Sequence, residues 1–311
     1  QDGFDQRSID ELAELLTHAD QRIRLRAQWA LADRGEVARD AFARVVSTDH
    51  QLARIHAIWG LGMIDRLHGP SARAMEVVQS QMWDEDAEIR GQAARVLGDA
   101  HFEPAGDDLF DLVFDIDPRV SYHAIMSLGK IGHPEAIDAI AEVLWTNDDT
   151  DKFLRHACVF ALARIGDRDA LITLLGDAQP SVRLGALLAL REMGDPAVAI
   201  ALRDPDAFVA AEAARAIHDA EIESAMPALA NLASGLVLDD TREGRSIGRR
   251  AIEAAARRGT PSDAAAVARI AVNSESPGII RLEAARALAT WADPGPRDRV
   301  TGRFRKMEPR S

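Results

Sequence analysis

One pattern recurs along the chain and leaves little choice of fold. An apolar residue is followed by Arg, a small residue three positions on, a small-plus-apolar pair, and often a Gly four residues later. It stands as Ile23-Arg24 with Ala27, Ala30-Leu31 and Gly35, and as Ile89-Arg90 with Ala93, Val96 and Leu97. It returns as Val120 with Ala124, Leu128 and Gly132, as Leu154-Arg155 with Cys158, Leu162 and Gly166, and as Val182-Arg183 with Ala186, Leu190 and Gly194. Ile280-Arg281 with Ala284 and Leu288 is the last, and weaker copies begin at Ala53-Arg54, Val209-Ala210 and Ile247-Gly248. About nine copies spaced roughly 27 to 38 residues apart fall in the band of helical solenoids, whose units each bury a face only against a neighbour.

Composition agrees. Alanine supplies 56 of the 311 residues and aromatics only 5%. Alanine is the best helix former and lets helices approach closely, whereas a sandwich or barrel needs the β-branched and aromatic runs this chain lacks. Each copy reads as the second helix of a pair. Ser8 with Glu11 forms a capping box ahead of Leu12, Leu15 and Leu16, and Pro134-Glu135 opens a helix before Ile137, Ile140 and Val143. Asp117-Pro118, Gln179-Pro180, Asp204-Pro205 and Ser276-Pro277 separate paired helices, and glycines at 35, 132, 166, 194 and 259 stand where a helix closes. The expected architecture is all-α: one continuous α-α superhelix over residues 1–292. Pro294, Pro296 and Pro309 predict that 293–311 leaves it as an extended basic tail.

Repeats of the form Asp-Pro-x-Val-Arg followed by Ala, Ala-Leu and a closing Gly resemble HEAT repeats, of the short kind found in phycobilin lyases. The strings 122–132, 154–162, 212–219 and 296–302 are further similar to the HEAT segment of large exported haem-binding proteins of planctomycetes. There, a sugar-dehydrogenase-like propeller precedes the repeats and a Cys-x-x-Cys-His cytochrome domain follows. That resemblance implies a periplasmic or extracellular setting and c-type haem in a parent protein. With Cys158 as its one cysteine, this sequence cannot itself attach such a haem through two thioethers, and no cofactor is expected in this chain.

Helical geometry divides the second helix into faces. Positions equivalent to Ile23, Ala27, Ala30 and Leu31 point toward the stack. Those equivalent to Leu25 and Trp29 point away, to the side that lines the concave surface of a HEAT-like superhelix. Along the latter run Trp29, Trp59, Tyr122, Met126, His156, Phe160 and Leu188, a nearly unbroken apolar and aromatic stripe through the first six repeats that Arg95 interrupts in the third, while Arg215, Glu253 and Arg286 make the last three mostly polar. Two readings stand: a partner-binding surface, or ordinary core that tight curvature buries, with Ala32, Gly62, Gly98, Gly129 and Ala163 permitting the approach. Apolar side chains suit a protein segment or an apolar small molecule better than nucleic acid.

The recurring Arg24, Arg54, Arg90, Arg155, Arg183 and Arg281 invite a charged ligand. Their spacing follows the repeat, however, which fits a structural ladder to carboxylates or carbonyls near Asp20, Asp86, Asp117, Asp177 and Asp204. No His-Glu-x-x-His or i, i+4 histidine pair exists, and Asn147–Asp151 lacks the glycine and Glu of a calcium loop, so no metal site is expected. Nor is there a nucleophile elbow, phosphate loop or dinucleotide fingerprint. Cys158 sits at a small core position, where burial makes a thiol inert.

Charge is uneven: residues 1–240 carry about −20 and 241–311 about +7, within a total of −13. The field opposes polyanions, and the basic end is read as a contact with a neighbouring domain or as plain solvation. No stretch is apolar enough to span a bilayer, and no signal peptide is expected behind Gln1. The expectation is a non-catalytic interaction module that docks a protein, such as an adjacent domain of a parent chain. The alternative is a lyase- or base-excision-type enzyme, or a small-ligand binder, with a pocket in the groove.

Overall fold

The computed structural model describes residues 3–235 and 239–310. Among them no strand forms beyond one isolated bridge between Arg297 and Phe304. The helices fall into two compact units, Gln1–Asp167 and Arg168–Ser311, where the sequence led us to expect one body over 1–292. The first unit holds α1 (Ile9–Glu14), α2 (Gln21–Ala32), α3 (Glu36–Val46), α4 (Gln51–His68), α5 (Ala72–Gln79), α6 (Ala87–Asp99), α7 (Gly106–Asp111), α8 (Pro118–Ile131), α9 (Ala136–Asn147) and α10 (Lys152–Ile165). The second holds α11 (Arg168–Leu174), α12 (Pro180–Glu192), α13 (Ala207–Asp219), α14 (Met226–Leu232), α15 (Arg242–Arg258), α16 (Pro261–Val272) and α17 (Gly278–Ala289). The nine recurring segments are α2, α4, α6, α8, α10, α12, α13, α15 and α17. Each follows a shorter helix, except α13, which follows a 3-10 run at Pro196–Arg203, and α17, which follows a helix of equal length.

Local chemistry explains the second helices. Asp20, Asp86, Asp117, Asp151 and Asp206 are N-caps whose carboxylates accept from backbone N–H groups of the first turn. Gly132, Gly166 and Gly259 close α8, α10 and α15 in the left-handed conformation. Gly35, expected to close α2, instead opens α3 as its N-cap. Apolar side chains such as Leu31, Phe42, Ile58 and Leu61 are fully buried between pairs. The small residues predicted to allow close approach do so at three places, the first being Gly62, where a Cβ would lie 2.7 Å from Val96 Cγ1. A Cβ on Gly98 would lie 2.4 Å from Ser127 Cβ, and one on Gly129 would lie 2.5 Å from Ala161 Cα. Neighbouring second helices therefore meet nearly backbone to backbone at this level.

The recurring arginines clamp successive turns. Arg90 and Arg183 each grip the carboxylate of the next turn with two bonds, Asp115 at 2.8 and 2.9 Å and Asp204 at 2.8 and 2.7 Å. Each also donates to two carbonyls of its own turn. Arg54 reaches Asp84 and the Val46 carbonyl, Arg155 reaches Asp149, and Arg24 donates to the carbonyls of His18 and Ala19. Arg281, in the last pair, is exposed, with one 3.4 Å contact to the Ala271 carbonyl. Of the acids expected to receive them, Asp204 does. Asp20, Asp86 and Asp117 cap helices, and the carboxylates actually gripped, Asp84 and Asp115, stand two residues before the caps.

Residues 293–310 correct the picture of a tail that leaves the stack; Ser311 lies outside the described residues. Asp298 is buried, 3.1 Å from His218 Nε2 on α13, and pairs with Arg257 on α15. It also accepts from the backbone N–H groups of Val300 and Thr301. Around it Arg299 pairs with Glu253 at 2.9 Å, Arg303 donates to the Asp219 carbonyl, and Arg305 pairs with Glu221 and Glu223. Arg310 bonds the Ala256 carbonyl and lies over the Trp291 ring at 5.2 Å. Residues 297–304 fold back on themselves, with Arg297 and Phe304 bridged antiparallel, and charge-assisted bonds hold the segment down on the second unit.

Candidate functional site

In the first unit the stripe is neither fully exposed nor core. Trp29 on α2 is 53% exposed. His156 on α10 is also exposed, whereas Trp59 on α4, Tyr122 and Met126 on α8, and Phe160 on α10 are half-buried. In the second unit Leu188 on α12 is half-buried. The Leu25-equivalent Ile55 and Leu184 are buried, so that flank of the helices is closer to core than the Trp29 flank.

Between α2, α4 and α6 lies a cleft of about 350 Å³ lined by Trp29, Trp59, Met63, Asp65, Arg95 and Asp99, among others. A polar network beneath it fixes the aromatic wall. Trp59 Nε1 donates to Gln92 Oε1 at 2.8 Å, Gln92 Nε2 donates to Glu88, and Glu88 pairs with Arg119 at 2.9 Å. His56 packs edge-on against Trp59, with ring centroids 5.4 Å apart, and its Nδ1 lies 2.7 Å from Gln28 Oε1. Burial, reinforced by the charge of Arg24, pushes His56 down to about 4, so the imidazole is neutral at pH 7. An indole held in this way suits reversible docking, since little rotamer freedom remains to be lost on binding.

A second hollow of about 280 Å³ is bordered by Pro118, Tyr122, His123, Phe153 and Leu154. His123 is held below the ordinary histidine range by burial and by Arg95. Phe160 is covered on one side by Arg164, 5.3 Å from the ring centroid. Gln28, Met63, Asp65, Gln92 and Asp99 were not singled out in the sequence. Gln28 and Gln92 occupy different registers of their repeats, so periodicity gave no signal for them.

The remaining candidates have structural surroundings. Cys158 is fully buried, and desolvation pushes its thiol up to about 12. Among the described residues no group of three or more His, Cys, Asp and Glu is arranged to hold a metal ion, and no helix is long and apolar enough to cross a membrane.

The family profile described as HEAT repeats matches residues 75–152 and 147–217. No curated protein matches the chain. Among solved structures, Kap95p from a complex with RanGDP is 15% identical with a TM-score of 0.54, over 92% of this chain and 46% of that one. The CpcE–CpcF phycocyanin lyase complex of Nostoc sp. PCC7120 gives 19% and 0.41 over 80% and 86% of the two chains. Human deoxyhypusine hydroxylase gives 18% and 0.37 over 93% and 96%. The Kap95p likeness shows fold alone. With the repeat pattern and the helical character of the described residues, it identifies an α-α superhelical chain that carries a HEAT-repeat segment over residues 75–217.

Proposed function

We propose that this chain is a non-catalytic scaffold that docks a protein partner on the Trp29 face of its first unit. The observation that carries this is the indole of Trp29, 53% exposed at the rim of the cleft it shares with Trp59 and Met63. A large aromatic left half in water beside a preformed hollow is what interfaces use as an anchor. The enzymatic alternative is less supported: the cleft brings together Asp65, Arg95 and Asp99 with two indoles, and the chain's one thiol is sealed in the core. The larger haem-carrying assembly that the resemblance implies would supply such a partner as a neighbouring domain.

The test places a photo-crosslinking amino acid at position 29 or 160, and at the exposed Val37 as a control, in the native host. One protein or domain captured from 29 and 160 but not from 37, and lost on Trp59→Ala in a chain of unchanged helicity, is the expected result. Equal capture from all three positions, or none from 29 and 160, would overturn the docking role.

A further inference from the structure

Three of the recurring arginines share one arrangement, and a fourth has only half of it. Arg54, Arg90 and Arg183 each pair with a carboxylate two residues before the N-cap of the next second helix: Asp84 before Asp86, Asp115 before Asp117, and Asp204 before Asp206. Each of those acids also accepts the backbone N–H of its cap residue, at 2.8 to 2.9 Å. In Arg90 and Arg183, Nη1 holds two carbonyls of the arginine's own turn, and the edge formed by Nε and Nη2 takes both oxygens of the acid. Arg24 keeps the first half, its Nη1 donating to the carbonyls of His18 and Ala19 at 2.7 and 2.9 Å. The second half is missing. The next second helix, α4, is capped by His50, so the place of the acid falls on Thr48, whose hydroxyl donates to the Val45 carbonyl. Arg24 is 7% exposed, and its Nε is buried without a partner. A desolvated guanidinium edge left unmatched is unfavourable, and a carboxylate accepting two parallel N–H bonds is the group that matches it. Space for one lies alongside, in a cavity of about 370 Å³ bordered by Arg24, the amides of Gln21 and Gln51, Trp59 and Glu88. Glu88 is already paired with Arg119 at 2.9 Å. Trp59 is a wall common to this cavity and to the Trp29 cleft.

We propose, resting on the docking role of the Trp29 face, that Arg24 is a carboxylate-binding site which the partner completes: an Asp or Glu side chain of the docked protein enters this cavity and takes on Arg24 the place that Asp115 takes on Arg90. The shared wall at Trp59 lets one segment reach both the indoles and the guanidinium. The first unit carries 30 acidic and 17 basic residues, −13, so its field repels a run of acids. What the site selects is a single carboxylate among uncharged residues, one negative charge for one buried positive one.

The experiment uses the full chain, isotope-labelled at its arginine nitrogens, with the Arg24 Nε–H resonance assigned by its loss in Arg24→Lys. Sodium acetate and N-acetylglutamate amide, its side-chain acid free, should move that resonance saturably; sodium chloride at equal ionic strength and N-acetylglutamine amide should not. Thr48→Asp supplies the acid from within the chain. It should move the resonance without any ligand and weaken acetate binding about tenfold, whereas Thr48→Asn should do neither. A resonance that acetate leaves in place, or that chloride moves equally, would overturn the carboxylate site, and acetate binding that Thr48→Asp leaves intact would overturn its register. The source of the acid is read from the crosslink at position 29, which should fall severalfold in Thr48→Asp. Capture unchanged by that variant, in a chain whose Arg24 binds acetate, would overturn the partner as the source. No capture at 29 and 160 would overturn docking and the partner's role with it, while the acetate titration still decides separately whether Arg24 binds a carboxylate.

Discussion

Replacing Arg183 with Met tests whether the recurring arginines are scaffold. The guanidinium and the Asp204 carboxylate are 7% and 3% exposed and joined by two bonds. A further nitrogen donates to the carbonyls of Asp177 and Ala178, both at 3.0 Å. Methionine fills most of the stem's volume but leaves a buried carboxylate whose remaining partner is the Asp206 N–H at 2.8 Å, together with two carbonyls that lose their donor. Breaking a buried pair costs about 3–5 kcal/mol, and the stranded carbonyls keep the value in the upper half of that range. Arg183→Met with Asp204→Leu should recover much of the loss, because no charge then remains buried. Arg281→Met, at an exposed site with one long contact, should leave stability unchanged within error. Solenoids can unfold piecewise, so the readout is urea denaturation together with native-state hydrogen exchange resolved to α12 and α13. A loss below about 1 kcal/mol for Arg183→Met, or equal effects at 183 and 281, would refute the clamp and return these residues to the candidates for ligand binding.

Cys158 should resist a thiol reagent in the folded chain and react fully in about 6 M guanidinium, because burial both hides the sulfur and suppresses its thiolate; rapid labelling of the native protein would contradict its placement in the core. His218 predicts a pH dependence for the second unit. Burial opposes its charge, but hydrogen bonds to Asp219 and Asp298 outweigh that and raise its pKa, against the opposing field of Arg257; Arg250 shares Asp219 with it. A raised histidine contributes stability that is complete below its unfolded value of about 6.5 and is lost as pH climbs through the folded value. Hydrogen exchange of residues 298–305 should therefore accelerate from neutral toward alkaline pH after correction for intrinsic rates, and His218→Gln should flatten the profile; a flat profile in the unaltered chain would refute the coupling.

How much of this was legible in the sequence follows from the range of the forces involved. The nine second helices were, because their signals are local: small residues at fixed offsets, joined in five of them by an Asp cap and in α8, α10 and α15 by a closing Gly. The clamp was half legible. Arg183 and Asp204 lie 21 residues apart in adjacent turns, yet Asp86 and Asp117 looked like equally good partners until their carboxylates proved to be occupied with capping α6 and α8. The division at Asp167 left no trace, since Ile165-Gly166 closes α10 just as Ile131-Gly132 closes α8. The tail misled because Pro294 and Pro296 report local extension, whereas its docking depends on Asp298 meeting His218, 80 residues earlier in the chain, and periodicity carries no information about such a pair.

That docking also gives a physical reason for the one change of character along the repeats. At the level of Trp29 and Trp59, α15 carries Glu253, which is 3% exposed and paired with Arg299 of the tail. An indole at that position would strand the arginine, and a carboxylate without the tail would lie on a bare helix face with no reason to be buried. At Glu253 the charged residue thus marks a place where the chain covers its own surface. Arg215 and Arg286 at the same level are not so covered. Arg215 pairs with Glu212, and Arg286, 3.6 Å from Glu283, is largely exposed. Charge alone would have kept such a face soluble. The aromatic side chains at the equivalent positions of the first unit therefore need a separate explanation, and an occupant supplied from outside this segment gives one.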